Sequence, residues 1–289
     1  METNADGACV LPSRASHESI SHTASLTPPI APIPYLCGAQ LPGSTGRTPC
    51  GRCLLTHRLF GMSSASLPAR TDEQAAARAR DLLSIDAVVL QPKDPFTWSS
   101  GLRSPIYCDN RRTLAYPRIR QSICDGFVAA LTHAGLVASD ASLTIAGTAT
   151  AGIPHAAWLA DRLDVPMAYV RSSPKSHGRQ NQIEGVVHAG DSVVVVEDLI
   201  STGRSALAAV DALRTIGAHV QAVLAIFSYE FDTAAAAFAE ADVPLHTLTG
   251  YRTLIDVARA DGHLSNDALA SLKDWRRDPD AWSEQHADR

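Results

Sequence analysis

A run of four consecutive valines constrains the fold of this chain more than any other feature. The run occupies residues 193–196, follows the turn residues Gly190 and Asp191, and predicts a strand buried on both faces, as in a parallel sheet. Further along, apolar residues recur at helical spacing over residues 205–216, and Gly217 is suited to end such a helix. The sequence therefore predicts a central unit made of a buried strand, a short turn and a helix.

Two acids and a hydroxyl-rich turn connect this strand to this helix. Glu197 and Asp198 directly follow the valines, and the turn contains Ser201, Thr202 and Gly203. Free backbone N–H groups and the helix dipole favour an anion at a helix N-terminus. Hydroxyl groups there are often only helix caps, but capping does not explain two adjacent acids at the end of a buried strand, where burial and repulsion must be compensated. The pattern predicts a phosphate site beside a site for a sugar diol or a ligand-borne metal.

A second loop with features of an anion site lies upstream. Residues 143–147 predict another buried strand, residues 148–154 form a loop of small residues, and residues 155–163 predict a helix. Such a loop leaves backbone amides free at the edge of a sheet, where they can bind an anion, although an ordinary tight connection has the same composition. Both interpretations of this loop stay open.

A long polar segment follows the next predicted strand, which covers residues 165–171. The segment carries the cations Arg171, Lys175 and Arg179 together with His177, and it lacks an apolar anchor for most of its length. Long loops without secondary structure are usually lids or disordered segments. A solvated surface loop would account for the polarity but not for the positive charge in an acidic protein, so the segment is interpreted as a lid over a polyphosphate.

The remaining segments also alternate between strands and helices. The predicted helices cover residues 71–85, 119–131, 232–241, 251–258 and 265–275. The predicted strands cover residues 87–90, 219–227 and 245–248. Residues 96–111 carry aromatic residues around a Ser-Gly turn and predict a hairpin. This alternation favours an open, mostly parallel α/β sheet that binds ligands at the carboxyl ends of its strands.

Composition and charge exclude several classes of protein. The chain has 289 residues, 45% of them hydrophobic, and a formal net charge of −5, which gives no electrostatic footprint for nucleic acid. No apolar run approaches the roughly 18 residues of a membrane span, and the acidic start lacks a secretory signal. Cys50 and Cys53 form a C-x-x-C, but no second pair completes a zinc site. We therefore expect a cytoplasmic protein with no membrane or nucleic-acid partner.

Residues 1–69 differ from the rest of the chain. They contain eight of the 17 prolines and only seven charged residues, and they show no sustained periodicity. The segment is interpreted as a disordered N-terminal extension, and residues 70–289 as the ordered domain. A targeting peptide is one alternative. Translation that begins at Met62 is another, and it would leave the upstream segment outside the native protein.

Three motifs together resemble the orotate phosphoribosyltransferases, which are type I phosphoribosyltransferases. Residues 96–107 resemble the hood signature of that family, residues 171–185 its mobile catalytic loop, and residues 197–205 its loop for phosphoribosyl pyrophosphate (PRPP). The first two motifs distinguish the family from other type I enzymes, and the resemblance covers residues 71–282. It implies the type I phosphoribosyltransferase fold, an α/β fold in which helices flank an open, mostly parallel sheet beside a small N-terminal hood.

The resemblance also implies a reaction and a site. Members of the family use Mg²⁺ and transfer the phosphoribosyl group of PRPP to N1 of orotate, forming pyrophosphate and orotidine 5′-phosphate in de novo pyrimidine (UMP) biosynthesis. The residues that match catalytic positions are Lys175, His177 and Asp198. Ser201 matches a position near orotate. The residues that match PRPP-binding positions are Arg171, Lys175, His177, Glu197, Asp198, Leu199, Ile200, Ser201, Thr202, Gly203, Arg204 and Ser205.

The metal and the assembly follow from the same resemblance. Mg²⁺ would be held mainly through PRPP and water, so no protein residue is assigned as its ligand. Members of the family are dimers in which the lid loop serves the active site of the neighbouring subunit. A homodimer is therefore expected here.

The chain departs from the better-known enteric branch of the family at several positions. Lysines of that branch are replaced by Ser99, Ala151 and Ser172. An arginine that meets orotate in that branch has no clear match near residues 228–230. Arg103 and Arg111 are candidates for binding the orotate carboxylate instead.

Two other functions compete with orotate transfer. One is phosphoribosyl transfer to another base, such as a purine, and the hood motif and the lid residues Lys175 and His177 argue against it. The other is a regulatory protein that keeps the fold but binds nucleotide and nucleic acid. The acidic net charge argues against that function, and so do the lid cations, which a regulator does not need.

Overall fold

The computed structural model describes residues 72–98, 100–137, 143–173 and 182–287. All of them belong to one of the two units into which the chain divides, the unit Gly61–Arg289. The predicted extension at residues 1–69, the alternative start Met62 and Thr71, the first residue of a predicted helix, lie outside the described residues.

The predicted helices and strands occur in the predicted order, together with elements at residues 110–115, 183–185 and 279–285 that were not predicted. The helices are α1 (Asp72–Ser84), α2 (Pro117–His133), α3 (Gly152–Leu163), α4 (Arg204–Thr215), α5 (Asp232–Glu240), α6 (Tyr251–Ala260), α7 (Asn266–Arg277) and α8 (Pro279–Gln285), with a 3₁₀ helix at Asn110–Ala115. The strands are β1 (Val88–Leu90), β2 (Phe96–Thr97), β3 (Arg103–Ser104), β4 (Ile106–Cys108), β5 (Leu143–Thr148), β6 (Met167–Val170), β7 (Ile183–Gly185), β8 (Ser192–Ile200), β9 (His219–Ser228) and β10 (Leu245–Gly250). In the described ranges, no helix has both the length and the apolar character needed to cross a membrane.

Six strands form the main sheet, in the order β10-β9-β8-β5-β6-β7. All neighbouring pairs are parallel except β6 and β7, which are antiparallel. The predicted open, mostly parallel sheet is therefore confirmed, and β8 lies near its centre.

The valines of β8 pack against helices on both faces of the sheet. Val193 and Val195 pack in one apolar cluster with buried residues of α4 and α5, whereas Val194 and Val196 pack in the other with residues of α1, α2, α3, α6 and α7. All four valines are fully buried. Because successive side chains of a strand point to opposite faces, an unbroken apolar run stabilises a strand only where both faces are covered.

Two predicted boundaries are wrong by three residues or more, and the others differ by at most two. β8 does not end before the acidic pair but continues to Ile200, because β9 pairs with it along its whole length, as far as the pair Ile200 and Ser228. α3 begins at Gly152 rather than at residue 155. The prediction places Pro154 before the helix, yet this residue lies in the first turn, where its missing N–H has no helical partner to lose.

A small hood stands beside the main sheet. β1 and β4 form an antiparallel pair, and β2 and β3 form the predicted hairpin, in which Phe96 faces Ser104. Gly101 makes the turn with φ of +86°, a conformation that favours glycine. The unpredicted helix α8 contacts this hairpin, since the Arg103 N–H donates to Ser283 Oγ at 2.8 Å. The C-terminal helix α8 therefore helps to hold the hood hairpin in place.

Candidate active site

A cleft of about 1110 Å³ opens between the hood and the carboxyl ends of β8 and β9. Segments far apart in sequence line it, namely the hood, the turn after β8, the loop after β9, and the α7–α8 corner. The lining residues are Thr97, Trp98, Ser100, Leu102, Tyr107, Cys108, Leu199, Ser201, Thr202, Arg204, Ser205, Tyr229, Phe231, Asp232, Thr233, Arg276, Arg277, Pro279 and Asp280. This position agrees with the predicted ligand site at the carboxyl edge of the sheet.

The turn after β8 presents free donors to this cleft. Among the described residues, none of the backbone N–H groups from Ser201 to Ser205 donates a hydrogen bond, and the first bond of α4 runs from Leu207 N–H to Gly203 O at 2.9 Å. The hydroxyl-bearing residues Ser201, Thr202 and Ser205 all line the cleft. Unpaired amides at a helix N-terminus, with hydroxyls beside them, are suited to bind a phosphate group.

Gly203 gives the turn its shape. Its φ of +81° is in the left-handed region, and a Cβ at this position would lie 2.7 Å from Phe238 Cε2. Any other residue would therefore meet both backbone strain and a clash with α5. The glycine of the motif is required by geometry at this position.

The acidic pair lies on β8 just before the cleft-lining residue Leu199. Glu197 is only 6% exposed, and burial, together with the neighbouring Asp198, raises the pKa of Glu197 to about 9. Burial also raises the pKa of Asp198. The Asp198 N–H donates to Glu197 Oε1 at 3.1 Å. Burial therefore disfavours the charged form of both carboxyl groups until a cation or hydroxyl donors compensate the charge.

The 3₁₀ helix holds the backbone of the acidic pair in place. Asn110 is fully buried, and its Nδ2 donates to Asp198 O at 2.6 Å. Its Oδ1 lies 3.5 Å from Sγ of Cys108, a cleft-lining residue whose thiol pKa burial raises well above its usual value. Sequence reasoning missed Asn110, because a single asparagine carries no pattern that places it beside a strand 88 residues away.

The small-residue loop between β5 and α3 packs directly against β8. A Cβ at Gly152 would lie 2.3 Å from Val196 O, so only glycine allows α3 to begin so close to the strand. The Ala149 N–H is already engaged, donating to Val170 O at 2.8 Å. The loop thus has a packing role, and its predicted role as a second anion cradle stays a prediction.

The ends of the predicted lid lie on neighbouring strands. Arg171 directly follows β6, its N–H donates to Gln182 O at 2.9 Å, and its side chain lies 3.6 Å from Glu184 on β7. The predicted catalytic residues Lys175 and His177 lie outside the described residues. The segment that joins β6 to β7 therefore starts and ends at one place on the sheet edge.

Aromatic side chains form one wall of the cleft, and of these only Trp98 lies in a segment that the sequence analysis singled out. Trp98 of the hood contacts Tyr229, with ring centroids 5.4 Å apart, and Tyr229 stacks on Phe231 at 5.6 Å. The fully buried Trp275 packs against all three rings, 5.6 to 5.7 Å away. The position of Tyr229 and Phe231 directly after a predicted strand was the one signal that could have found them.

The two arginines considered for the orotate carboxylate lie in the hood and just after it, and the charge of Arg111 acts on Asp198. Neither Arg103 nor Arg111 is among the residues that line the cleft. Arg111 forms a two-point ion pair with Asp109, with distances of 2.6 and 2.9 Å, and this pair lowers the pKa of Asp109. Arg276 and Arg277, at the end of α7, line the cleft instead.

The chain resembles other proteins in sequence and in fold. A family profile described as a phosphoribosyl transferase domain matches residues 128–235. The orotate phosphoribosyltransferase of Staphylococcus saprophyticus is 55% identical over 203 residues, which are 70% of this chain and 98% of that protein. That of Halalkalibacterium halodurans is 53% identical over 206 residues, 71% of this chain and 96% of that one. The crystal structure of orotate phosphoribosyltransferase from Aeropyrum pernix matches with a TM-score of 0.54 at 33% identity, covering 65% of this chain and 99% of that chain.

Proposed function

The chain belongs to the orotate phosphoribosyltransferase family, and on this basis we propose how it acts as an enzyme. It has the type I phosphoribosyltransferase fold, and it transfers the phosphoribosyl group of PRPP to orotate, forming orotidine 5′-phosphate and pyrophosphate in pyrimidine biosynthesis. One observation carries this conclusion: 55% identity to a named orotate phosphoribosyltransferase, of which the alignment covers 98%. The assignment of roles to individual residues is our proposal.

The 5′-phosphate of PRPP binds the turn after β8 in this proposal. The free amides and hydroxyls of Ser201, Thr202 and Ser205 support it, because they lie at the N-terminus of α4 and line the cleft. Leu199, Ile200, Gly203 and Arg204 complete the same segment. The pyrimidine ring then lies near Ser201 and against the aromatic wall of Trp98, Tyr229 and Phe231, since flat rings pack well on aromatic faces.

Glu197 and Asp198 hold the ribose hydroxyls in this proposal, and Asp198 is assigned as catalytic because it matches a catalytic position of the family. Buried carboxyl groups with raised pKa values gain most from new hydrogen-bond donors or from a cation. The bond between C1 and the pyrophosphate oxygen breaks through an oxocarbenium-like state, so negative charge grows on the departing pyrophosphate. Lys175, His177 and Arg171 stabilise that charge, more strongly once the lid has excluded water.

Phosphoribosyltransferases generally use Mg²⁺ with PRPP, and we extend this to the present protein. The acidic pair fits a ligand-borne cation because a nearby positive charge relieves the cost of two adjacent buried carboxylates. Within the described ranges, no group of three or more histidine, cysteine or acidic side chains is placed to hold a metal by itself. PRPP and water would supply its oxygen ligands, and the metal would neutralise the pyrophosphate charge.

A substrate panel tests the proposed reaction. The purified protein is incubated with PRPP and Mg²⁺, and the ultraviolet absorbance of orotate is followed beside adenine, hypoxanthine and uracil. We expect loss of orotate alone. Consumption of a different base would show that the hood motif was misinterpreted, and binding of PRPP without turnover of any base would favour the regulatory alternative.

The domain division and the assembly are also proposals. We assign the catalytic domain to residues 70–289, with residues 1–69 as an extension and with a cytoplasmic location, as the sequence predicts. Intact mass of the native protein tests the alternative start, because a native species that begins before Met62 would contradict it. We further infer a homodimer in which the lid of one subunit serves the site of its partner.

A further inference from the structure

Arg276 is a half-buried cation at the wall of the cleft. It lies in the last turn of α7, and its side chain is 18% exposed. The preceding residue, Trp275, is fully buried between Trp98 of the hood and Tyr229 of the β9 loop. This packing fixes the end of α7, so Arg276 is presented to the cleft from a rigid position.

The guanidinium group of Arg276 is only partly satisfied within the protein. Its Nη2 donates to Glu230 O, and it lies 3.6 Å from Oδ1 of Asp232. The side chain of Asp232 is 98% exposed, so water screens this pair. Nε of Arg276 is buried and, among the described residues, has no hydrogen-bond partner. A half-buried cation whose nearest carboxylate is exposed to solvent is a position where an anionic ligand is favoured.

The backbone that Arg276 contacts is itself held firmly. Glu230 adopts φ of +57°, its N–H donates to Ser228 Oγ at 2.9 Å, and its carboxylate accepts from the Arg252 N–H at 2.9 Å. The Tyr229 N–H donates to Ile200 O at 2.9 Å, which ties this loop to β8 just before the phosphate turn. Arg276 is therefore positioned relative to the phosphate turn through a continuous chain of hydrogen bonds.

The other two arginines of the cleft are less suited to bind an anion on the base. Arg204 is exposed in the first turn of α4, beside the phosphate turn. The side chain of Arg277 is 78% exposed and lies 3.2 Å from Asp274. Water weakens the attraction of both of these side chains for an anion. The half-buried Arg276 is less exposed to water, so its attraction for an anion is weakened less.

We propose that Arg276 binds the carboxylate of orotate and so selects this base over pyrimidines that lack a carboxylate, an assignment that rests on the proposed function. The ring of orotate would lie against Trp98, Tyr229 and Phe231, next to the end of α7. A planar guanidinium group matches a carboxylate in a two-point hydrogen bond.

Steady-state kinetics of the Arg276→Gln variant test this assignment. At saturating PRPP, we expect KM for orotate to rise about 30-fold or more, while KM for PRPP stays within about twofold of the wild-type value. Arg276→Lys keeps the positive charge but cannot form the two-point hydrogen bond. Its KM for orotate should therefore rise less than that of Arg276→Gln. Lys273→Gln removes one positive charge from the exposed side of the same helix and serves as the matched control with wild-type constants.

The outcomes separate the assignment from the proposed function. If the wild-type protein does not consume orotate, the proposed function is wrong and the assignment fails with it. If the wild type consumes orotate but Arg276→Gln keeps its KM for orotate, only the assignment is wrong. An equal rise in KM for both substrates, with no difference between the Gln and Lys variants, would show that Arg276 is only structural.

Discussion

Glu197 carries a carboxyl group into the sheet, where burial raises its pKa to about 9 from an ordinary value of 4.5. The unfolded chain releases this proton from about pH 4.5 upward, while the folded protein retains it to about pH 9. The unfolded state therefore binds fewer protons between these values, and Glu197 lowers the free energy of unfolding as pH rises. Glu197 therefore costs stability at neutral pH, a cost that a purely structural role does not explain.

The Glu197→Gln variant should therefore gain stability relative to the wild type as pH rises. The two proteins should unfold at similar temperatures near pH 5, and the advantage of the variant should grow toward pH 8, by on the order of 1–3 kcal/mol. Thermal unfolding across this pH range measures it, with the exposed Glu240→Gln as the control. A constant difference between variant and wild type at every pH would contradict the raised pKa.

Lys175 is the residue whose proposed role depends most on sequence alone. Lys175→Ala should lower kcat by at least about 100-fold and leave PRPP binding largely intact, because its main contact strengthens only as pyrophosphate departs. Single-turnover kinetics and PRPP binding separate the two quantities. The exposed Lys93→Ala provides the control for loss of one lysine charge. A variant with unchanged kcat and a raised KM would show that Lys175 only binds substrate.

At the scale of single elements, the phosphate turn depends on the space around Gly203. Gly203 and Gly190 both have φ in the left-handed region, at +81° and +90°, but only Gly203 is crowded, because no atom lies within 4 Å of a Cβ at Gly190. Gly190→Ala should cost about 1 kcal/mol of stability through backbone strain alone. Gly203→Ala should cost at least about 1 kcal/mol more, since the methyl group also meets Phe238.

The same pair of variants separates stability from function. Gly203→Ala should raise KM for PRPP because the turn must shift, whereas Gly190→Ala should keep the wild-type KM. Denaturant unfolding and initial-rate kinetics on both variants measure this. Equal losses of stability, or a wild-type KM in Gly203→Ala, would show that Phe238 moves aside and that the turn tolerates the methyl group.

Most elements of the fold were predictable because each carries its own periodicity. The valine run predicted β8, and the helical spacing of α4 ended at Gly217, as expected. The end of β8 was not predictable, because it depends on how far β9 continues beside it. α8 was missed because its seven residues are too few for a periodic pattern, and the helix is stabilised by contacts such as that of Ser283 with the hood.

At the scale of the whole molecule, some residues of the site could be predicted from the sequence and others could not. The residues from Glu197 to Ser205 are contiguous, so a sequence motif is enough to identify them. Asn110, Tyr229 and Arg276 come to the site from separate elements, and only tertiary packing places them there. Arg103 and Arg111 lie in or close to the hood motif in sequence, yet neither is part of the cleft lining. Proximity to a motif in sequence is therefore not enough to place a side chain in the cleft.

The proposed sharing of the lid between subunits can be tested with two variants that are each inactive. Lys175→Ala removes the lid cation, and Thr202→Asp places a negative charge in the exposed phosphate turn, where it repels the 5′-phosphate. The two chains are produced together with different affinity tags, and the mixed dimer is purified through both tags. The homodimers of each variant, prepared in the same way, serve as controls.

A mixed dimer regains activity only if the lid acts across the subunit boundary. In that case the subunit with the intact turn receives the intact lid of its partner, so one of two sites works and activity is about half that of the wild type. If each lid served its own subunit, one site would lack the lysine and the other a functional turn, and the mixed dimer would be as inactive as its parents. A protein that purifies only as a monomer would contradict the proposed dimer.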